Sequence, residues 1–596
     1  MVAIVLGTFA TSSKIKNRIG IGKMIRINQI KVLHDESKNY EYEYINSLLM
    51  AKVTKILKVS GDEIDKLEII RHSIDARKKP EIFHIFIVDV KLKGNNEAGV
   101  VRRCRDKNVS VVTPVRYKFP YDHREKVTNE GVEDGNDNAK DFLRPVIIGA
   151  GPAGLFCGYL LAKHGFKPLI LERGSDVDKR TEQVEHFWKS GELDEHSNVQ
   201  FGEGGAGTFS DGKLNTMVKD KDGRGRKALE IFVENGAPVD ILYDAKPHIG
   251  TDILKEVVKN MRNYIIKLGG QVRFDSKVDD IVIDNNEKIC GVKVGSEVIF
   301  CNEVVLAIGH SARDTFYMLK DRNVEMNPKP FAVGFRVEHP QTLINFSQYG
   351  ISKPKALTPA PYKLTTTTDS GRGVYSFCMC PGGFVVNASS EKGRLAVNGM
   401  SYSKRDSRMA NSAIIITVDP KDFGSRDVLS GVEFQRKLEE KAFKIGNGKI
   451  PVEYYGDFKA SVIKAENKSS EAEDEFGLKG NLPSMKGDYV FADVHDILPE
   501  DLNNAFVQGM EKFGRMIKGY NSDFALCSGV ESRTSSPVRI NRDENGQSVN
   551  VDGLFPCGEG AGYAGGIMSA AMDGMKIAEY VAKKIICGSK TVCKTK

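Results

Sequence analysis

No apolar run in the 596 residues approaches the ~20 positions that a membrane-spanning helix needs. The ten cysteines are scattered, with no C-x-x-C pair and no zinc-ligand spacing. That argues against a disulfide framework or a structural metal, and for a reducing compartment such as the cytoplasm. Neither sign of charge dominates. Lys and Arg number 86 against 79 Asp and Glu, a net +7 that permits contact with nucleic acid without arguing for it. There is no internal repeat. No positive side chain precedes apolar Ala3–Leu6, so a secretory signal is not expected. Residues 1–23 are basic and free of acids, as a transit peptide would be; a flexible extension before a natural start at Met24 is favoured. The composition, 40% hydrophobic and 28% charged, fits a soluble globular chain, and the length calls for two to four domains.

Residues 24–121 read as a small α+β domain. Ile27–Leu33 predicts a strand, Ile45–Leu57 an amphipathic helix, and Ile82–Val90 the strongest strand, rich in β-branched and aromatic residues. Arg71, Arg77, Lys78 and Lys79 precede that strand; a solvated face is favoured over an anion or RNA site. Residues 122–141 are polar, with Gly131, Gly135 and Asn136-Asp137-Asn138, and read as a linker.

The chain is organised around Val146-Ile147-Ile148-Gly149-Ala150-Gly151-Pro152-Ala153-Gly154. This reads as buried strand, glycine turn and helix start. Gly149 allows the tight turn, Gly151 the approach of a pyrophosphate, and Gly154 close packing of helix on strand. A second apolar run, Leu169–Leu171, ends in Glu172, where a carboxylate accepts the ribose hydroxyls of an adenine dinucleotide. Arg173 is expected among the cofactor-binding residues, and of the following Lys179 and Arg180 either could reach a phosphate or equally well lie on the surface. The window Phe201–Leu214 holds Gly204, Gly205, Ala206, Gly207 and Thr208. So much glycine suits backbone lying against a flat ligand, with Phe201, Phe209 and Leu214 as inward anchors.

Residues 251–310 return to an α/β pattern. A helix is expected over 251–268, strands over 271–274 and 277–283 (with Val278), and a buried strand over 304–308 ending at Gly309. All are expected in one mostly parallel sheet, so that 142–326 forms the first part of the dinucleotide domain. Residues 327–519 change to short strands, prolines and turns, an inserted and mainly antiparallel β domain, with acid-rich 466–475 as a surface loop. Residues 520–596 close the dinucleotide fold through Gly558-Glu559, Gly565-Gly566-Ile567 and a final helix over 568–584. Only one such glycine turn occurs, so one tightly bound dinucleotide is expected.

These segments together resemble the two-dinucleotide-binding-domain flavoproteins, of the glutathione-reductase-like fold. More narrowly, Arg71–Lys79, the Gly204–Lys213 loop, Cys378–Gly383 and Gly529–Thr534 look like a largely uncharacterised group of bacterial-type FAD-dependent dehydrogenases, from about residue 25 onward. The resemblance implies non-covalently bound FAD. It implies that Glu559 serves the ribityl or pyrophosphate region, and that the closing helix faces the flavin and favours its reduced state. An FAD-dependent oxidoreductase is expected, with a small-molecule substrate and a reduced pyridine nucleotide, NADH or NADPH, as transient donor. The alternatives are an FAD enzyme acting on RNA and a non-catalytic flavin sensor or scaffold. Lys213, Glu531 and Arg533 are candidates for binding an anionic substrate, and Lys213 and Glu531 also for moving a proton. His310 is equally well a structural histidine. For Cys378 and Cys380, one intervening residue matches dithiol enzymes poorly, and structural thiols are favoured. None is assigned as catalytic.

Overall fold

The computed structural model describes residues 22–38, 40–123, 143–464, 474 and 477–592. Residues 1–21 of the 1–23 segment expected as a flexible extension or leader, nearly all of the linker and most of the acid-rich loop lie outside the described residues. The chain divides into two compact units, one up to Arg116 with Tyr243–Ala245, the other Tyr117–Leu242 with Lys246 onward.

The first unit is a four-stranded antiparallel sheet with two helices. Its elements are β1 (Met24–Leu33), α1 (Tyr42–Leu57), β2 (Ile64–Lys78), β3 (Glu81–Leu92), α2 (Glu97–Cys104) and β4 (Val109–Val112), in sheet order β2-β3-β1-β4. Ile25, Ile27, Val88 and Val90 fill the buried face, and Leu49 and Val53 are fully buried on α1. The sequence reading missed β2, whose residues were noted for their basic cluster and for the resemblance at Arg71–Lys79 but not as a strand. Much of that strand is half-buried or exposed, so its apolar alternation is weak.

The second unit opens with β5 (Val146–Ile148), α3 (Pro152–Lys163), β6 (Leu169–Leu171), α4 (Val177–Ser190), α5 (Arg224–Glu234), α6 (Thr251–Lys267) and β7 (Gln271–Arg273). A hairpin meander follows, β8 (Asp280–Ile283), β9 (Ile289–Val294) and β10 (Glu297–Phe300), then β11 (Val304–Leu306) and α7 (Arg313–Asp321). The parallel sheet is five-stranded. From one edge it runs Leu554–Pro556, β11, β5, β6, β7. Its three-residue strands are wholly buried at β5, β6 and β11, as a sheet covered on both faces requires. The expectation that residues 277–283 join this sheet is corrected. β8 pairs with β9 in a separate antiparallel meander, because the turn at Asp284–Glu287 folds it straight back.

The inserted region carries β12 (Met326–Pro328), β13 (Phe331–Pro340), α8 (Gln341–Tyr349), β14 (Thr365–Thr367), β15 (Gly373–Cys380), β16 (Phe384–Asn387), β17 (Val397–Met400) and β18 (Met409–Val418). It continues through α9 (Ser430–Ile445), β19 (Ile450–Tyr454), α10 (Tyr455–Ile463), β20 (Met485–Lys486), β21 (Tyr489–Phe491), α11 (Glu500–Met516) and β22 (Leu526–Glu531). The main sheet, β14-β15-β18-β13-β22-β19-β21, is antiparallel except at β19 and β21. β22 lies inside this sheet, paired with β13 and β19, although its residues fall in the 520–596 stretch expected to close the dinucleotide fold. β23 (Val538–Ile540), β24 (Leu554–Pro556) and α12 (Ile567–Val592) complete the first fold, with β23 paired to β12. No helix among the described residues is long and apolar enough to cross a membrane.

A buried ionic cluster ties the insertion to the parallel-sheet domain. Both oxygens of Glu439 on α9 accept from Arg313 on α7 (2.8 and 2.7 Å) and from Arg533 after β22 (2.9 and 2.8 Å). Burial pushes the Glu439 carboxyl up, but the two guanidinium groups outweigh it and hold it far below the ordinary carboxylate range. Removing this acid leaves two buried cations short of their counter-charge. Glu439→Gln should therefore cost about 3–5 kcal/mol at neutral pH. A group whose folded pKa is depressed gives stability above its unfolded pKa and loses it as pH falls. Unfolding midpoints of wild type and variant should differ most above about pH 4 and converge below it. A gap that is constant down to the acid limit contradicts this role.

Candidate functional site

At the carboxyl ends of β5 and β11 lies a cleft of about 320 Å³, the place where open α/β sheets bind ligands. Stretches far apart in the chain wall it, among them the Gly149–Ala153 turn, Leu171–Arg173, the loop from Gln200 to Lys213, Ala307–Ser311, the inserted sheet at Phe377, Cys378 and Asn398, Glu531 and Arg533, and the start of α12 at Gly565–Ile567.

The turn is built as its spacing predicts. Gly149 has φ +103°, and a Cβ there would lie 2.4 Å from the Ala307 carbonyl oxygen. A Cβ on Gly154 would lie 1.9 Å from the Gly149 carbonyl oxygen, so this glycine serves packing. Gly151 differs. A Cβ there would meet only Gly205 Cα, at 3.8 Å, and the residue is extended, with φ −74°. No side chain caps α3, and Pro152 starts the helix.

Glu172 joins this turn to the next loop. Its carboxylate accepts from the backbone N–H of Ala150 at 2.8 Å and from those of Gly174 and Gly202 at 3.0 Å. Gly204 N–H donates to the Ala150 carbonyl at 2.9 Å, fastening the loop onto the turn. The anchors Phe201, Phe209 and Leu214 are all buried.

At the other end, Glu559 lies 3.2 Å from His310 Nδ1 and accepts from the Gly566 N–H at 3.3 Å. The His310 Nε2 is buried without a hydrogen-bond partner among the described residues. On the inserted side Arg336 is fully buried. It donates to Glu531 (2.8 Å), Asn398 (3.0 Å), Asn411 (2.9 Å) and the Cys378 carbonyl (2.8 Å). Burial pushes the Glu531 carboxyl up, and Arg336 only partly reverses that. Across the cleft, Lys213 lies 3.5 Å from buried Asp211, which also pairs with Arg405 at 2.8 Å and accepts from Ser401 at 2.7 Å.

Of the residues singled out from the sequence, Gly149, Gly151, Pro152, Ala153, Glu172, Arg173, Gly205, Ala206, Gly207, Val278, Gly309, Glu559, Gly565, Gly566 and Ile567 line the cleft. Lys213, His310, Glu531 and Arg533 line it too. Gly154, Gly204, Thr208 and Gly558 stand behind the wall. Gly558 donates to Asp573 at 2.8 Å and abuts Ala153. Arg180 is corrected. It is wholly buried, and its guanidinium is used up on the carbonyls of Asn198, Val199, Gly202 and Glu203, holding the loop rather than a phosphate. Arg173 reaches the cleft but pairs with Asp314 at 2.9 Å and stacks on Phe201. Phe377 and Asn398 carried no sequence signal; they arrive at the cleft only because β15 and β17 fold over it.

This donor set fits a dinucleotide. Backbone is bare where a ligand would lie: a Cβ on Gly309, Gly565 or Gly566 would meet nothing within 4 Å. An uncapped helix start stands in the middle, a carboxylate at one end and an unpartnered imidazole nitrogen at the other. Residues 330–534 match the model of an FAD-dependent protein C-terminal domain, 147–190 that of an NAD(P)-binding Rossmann-like domain, and 24–91 that of a domain of unknown function. An uncharacterized protein of Clostridium beijerinckii is 46% identical over 565 residues, covering 94% of this chain and 99% of the relative. Similar solved structures include glycine oxidase from Bacillus cereus, 13% identical, over 74% of this chain and 95% of that one, with TM-score 0.29. A geranylgeranyl bacteriochlorophyll reductase-like protein from Thermoplasma acidophilum is 12% identical, over 75% and 79%, with TM-score 0.32.

Fold and family define an FAD-dependent oxidoreductase. Within that class the chain belongs to the family of FAD-dependent proteins that carry this C-terminal domain, and it is related to the Clostridium protein along nearly its whole length.

The two inner glycines separate packing from binding. Gly154→Ala should lower the unfolding midpoint of the protein stripped of flavin, because the new methyl strikes backbone. Gly151→Ala should leave that midpoint unchanged yet weaken FAD binding about tenfold or more, read by flavin fluorescence titration. Equal affinity for the Gly151 variant and wild type would remove the turn from the ligand's path.

Proposed function

We propose that the cleft holds one FAD, stretched from Glu172 past the Gly149–Gly154 turn to Glu559 and Gly566. This is the glutathione-reductase-like way of binding it. The protein then transfers electrons between that flavin and a small molecule seated against the inserted sheet. The observation that carries this reading is continuity: the glycine-lined channel and the inserted wall of Phe377, Cys378 and Asn398 border a single cleft. FAD, when bound, supplies the capacity to take up and release two electrons.

The chain's residues then divide the work. The turn and the Gly205–Gly207 backbone hold the phosphates without intruding side chains, and Glu172 accepts from the ribose. Lys213, ion-paired but only half-buried, offers positive charge to an anionic substrate. Glu531 is the proton carrier, because burial keeps its carboxyl protonated to higher pH than a surface acid. His310, with Nε2 uncommitted, is the second site for a proton. A pyridine nucleotide donates transiently, since the single dinucleotide channel is taken by FAD.

Purified protein should be yellow, and anaerobic addition of either NADH or NADPH should bleach it. Glu531→Gln should keep the colour but slow turnover about 10–100-fold, and flatten its pH profile on the acid side. A colourless chain that FAD does not reconstitute overturns the reading. Flavin that no donor bleaches leaves a binding protein in place of an enzyme, and tight salt-sensitive tRNA binding would shift the substrate to RNA.

A further inference from the structure

A second hollow opens on the inserted region, and it shares no lining residue with the cleft. Its volume of about 420 Å³ is in the range of small-molecule sites. The start of α8, the loop at 352–359, Ser407–Met409 and Asn481 wall it.

The wall is fastened from inside by two buried amides at the start of α8, Gln341 and Asn345. Gln341 Nε2 donates to the Ala360 carbonyl at 3.1 Å and to Asn345 Oδ1 at 2.9 Å. Asn345 Oδ1 accepts from the Ala360 N–H at 2.9 Å, and its Nδ2 donates to the Ser352 carbonyl at 3.0 Å. Both ends of the 352–359 loop are thereby tied to the helix. Pro340, Pro354 and Pro359 stiffen the backbone around the opening, because the ring fixes φ. Leu357 and buried Met409 add apolar surface. The hollow is thus formed before any ligand arrives.

Charge around it has one sign. Lys353 and Arg408 line the hollow, and no acid does. Arg408 donates to the Leu482 carbonyl, which uses only part of its five-donor fork. Asn481 lines the hollow too, and its Nδ2 is buried without a hydrogen-bond partner among the described residues. Arg408 acts electrostatically on buried Glu338, two positions before Pro340 on β13, but burial pushes that carboxyl up to about 8. Glu338 is therefore mostly neutral at pH 7 and offsets little of the arginine's charge.

Two cations and an unused amide donor beside a proline-rich, apolar lining match one ligand chemistry. We propose that this hollow is a second binding site, for a small amphipathic anion: a carboxylate or phosphate carried on a short hydrocarbon body. Lys353, Arg408 and Asn481 hold the head, and Leu357, Met409 and the prolines take the body. The site stands independently of the reading of the cleft.

Calorimetric titration of the full-length protein, with and without added FAD, tests it. The probes are hexanoate and hexyl phosphate, with hexanol and inorganic phosphate as a body without a head and a head without a body. At least one amphipathic anion should bind at about one per chain, with Kd of about 1 mM or tighter. The tighter of the two tells carboxylate from phosphate. Hexanol and inorganic phosphate should bind about tenfold more weakly or less, and FAD should leave the affinity in place. Lys353→Glu and Arg408→Glu should each weaken binding about tenfold, whereas Lys213→Met, in the cleft, should not change it. Should Arg408→Glu fail to fold, the exposed Lys353 still decides. No binding of either anion up to about 10 mM, or affinity that neither charge reversal moves, would overturn the site. Affinity abolished by FAD or lost in Lys213→Met would place the anion in the cleft and overturn it equally.

Discussion

The carboxylate of Glu172 makes the interaction on which the remainder depends. One side chain at the end of β6 accepts from three backbone N–H groups, on the glycine turn, on its own following loop and at Gly202. Buried backbone donors are costly to leave unpaired, and one anion here satisfies three of them. It thereby fixes the distance between two glycine-rich segments that are far apart in sequence. Between them runs a channel whose walls are largely backbone. Arg180 does the complementary task from behind, donating to four carbonyls of the same loop.

Upon this frame the insertion is fastened by ion pairs instead of apolar surface alone. Glu439 is shared by Arg313 and Arg533, which come from opposite ends of the insertion, and Arg336 gathers Glu531, two asparagines and a carbonyl. Buried pairs of this kind add little net stability but tolerate few alternative packings. They put the wall of Phe377, Cys378 and Asn398 over the channel in one defined position. The chemistry of the cleft therefore lies at a junction of glycine backbone on one side with buried charge on the other.

Much of this was legible before the fold was known. The strand, turn, helix and acid between Val146 and Glu172 declare themselves by order and spacing, because each glycine answers a separate steric demand. The Phe201–Leu214 window was legible for the opposite reason, too much glycine to form a regular element. What stayed hidden depends on tertiary pairing. The meander at 280–300 has the apolar content of parallel strands and is set apart only by its tight turn. β22 carries no mark showing that it belongs with β13. Arg180 looked like a phosphate ligand because a lone arginine near a glycine loop gives no hint that carbonyls will consume it. The cysteines at 378 and 380 looked structural by spacing, which gives no sign that Cys378 lines the cleft while Cys380 is buried.

The central claim is that four segments distant in the chain, the 149–154 turn, the 202–209 loop, the wall at 309–311 and the stretch 558–567, embrace one FAD molecule. Hydrogen–deuterium exchange of the protein with and without FAD tests it directly. The account predicts slower exchange in all four segments together on addition of FAD, at a stoichiometry of about one, with the first unit unchanged. Protection confined to a single segment, or none at all with FAD demonstrably bound, would contradict it.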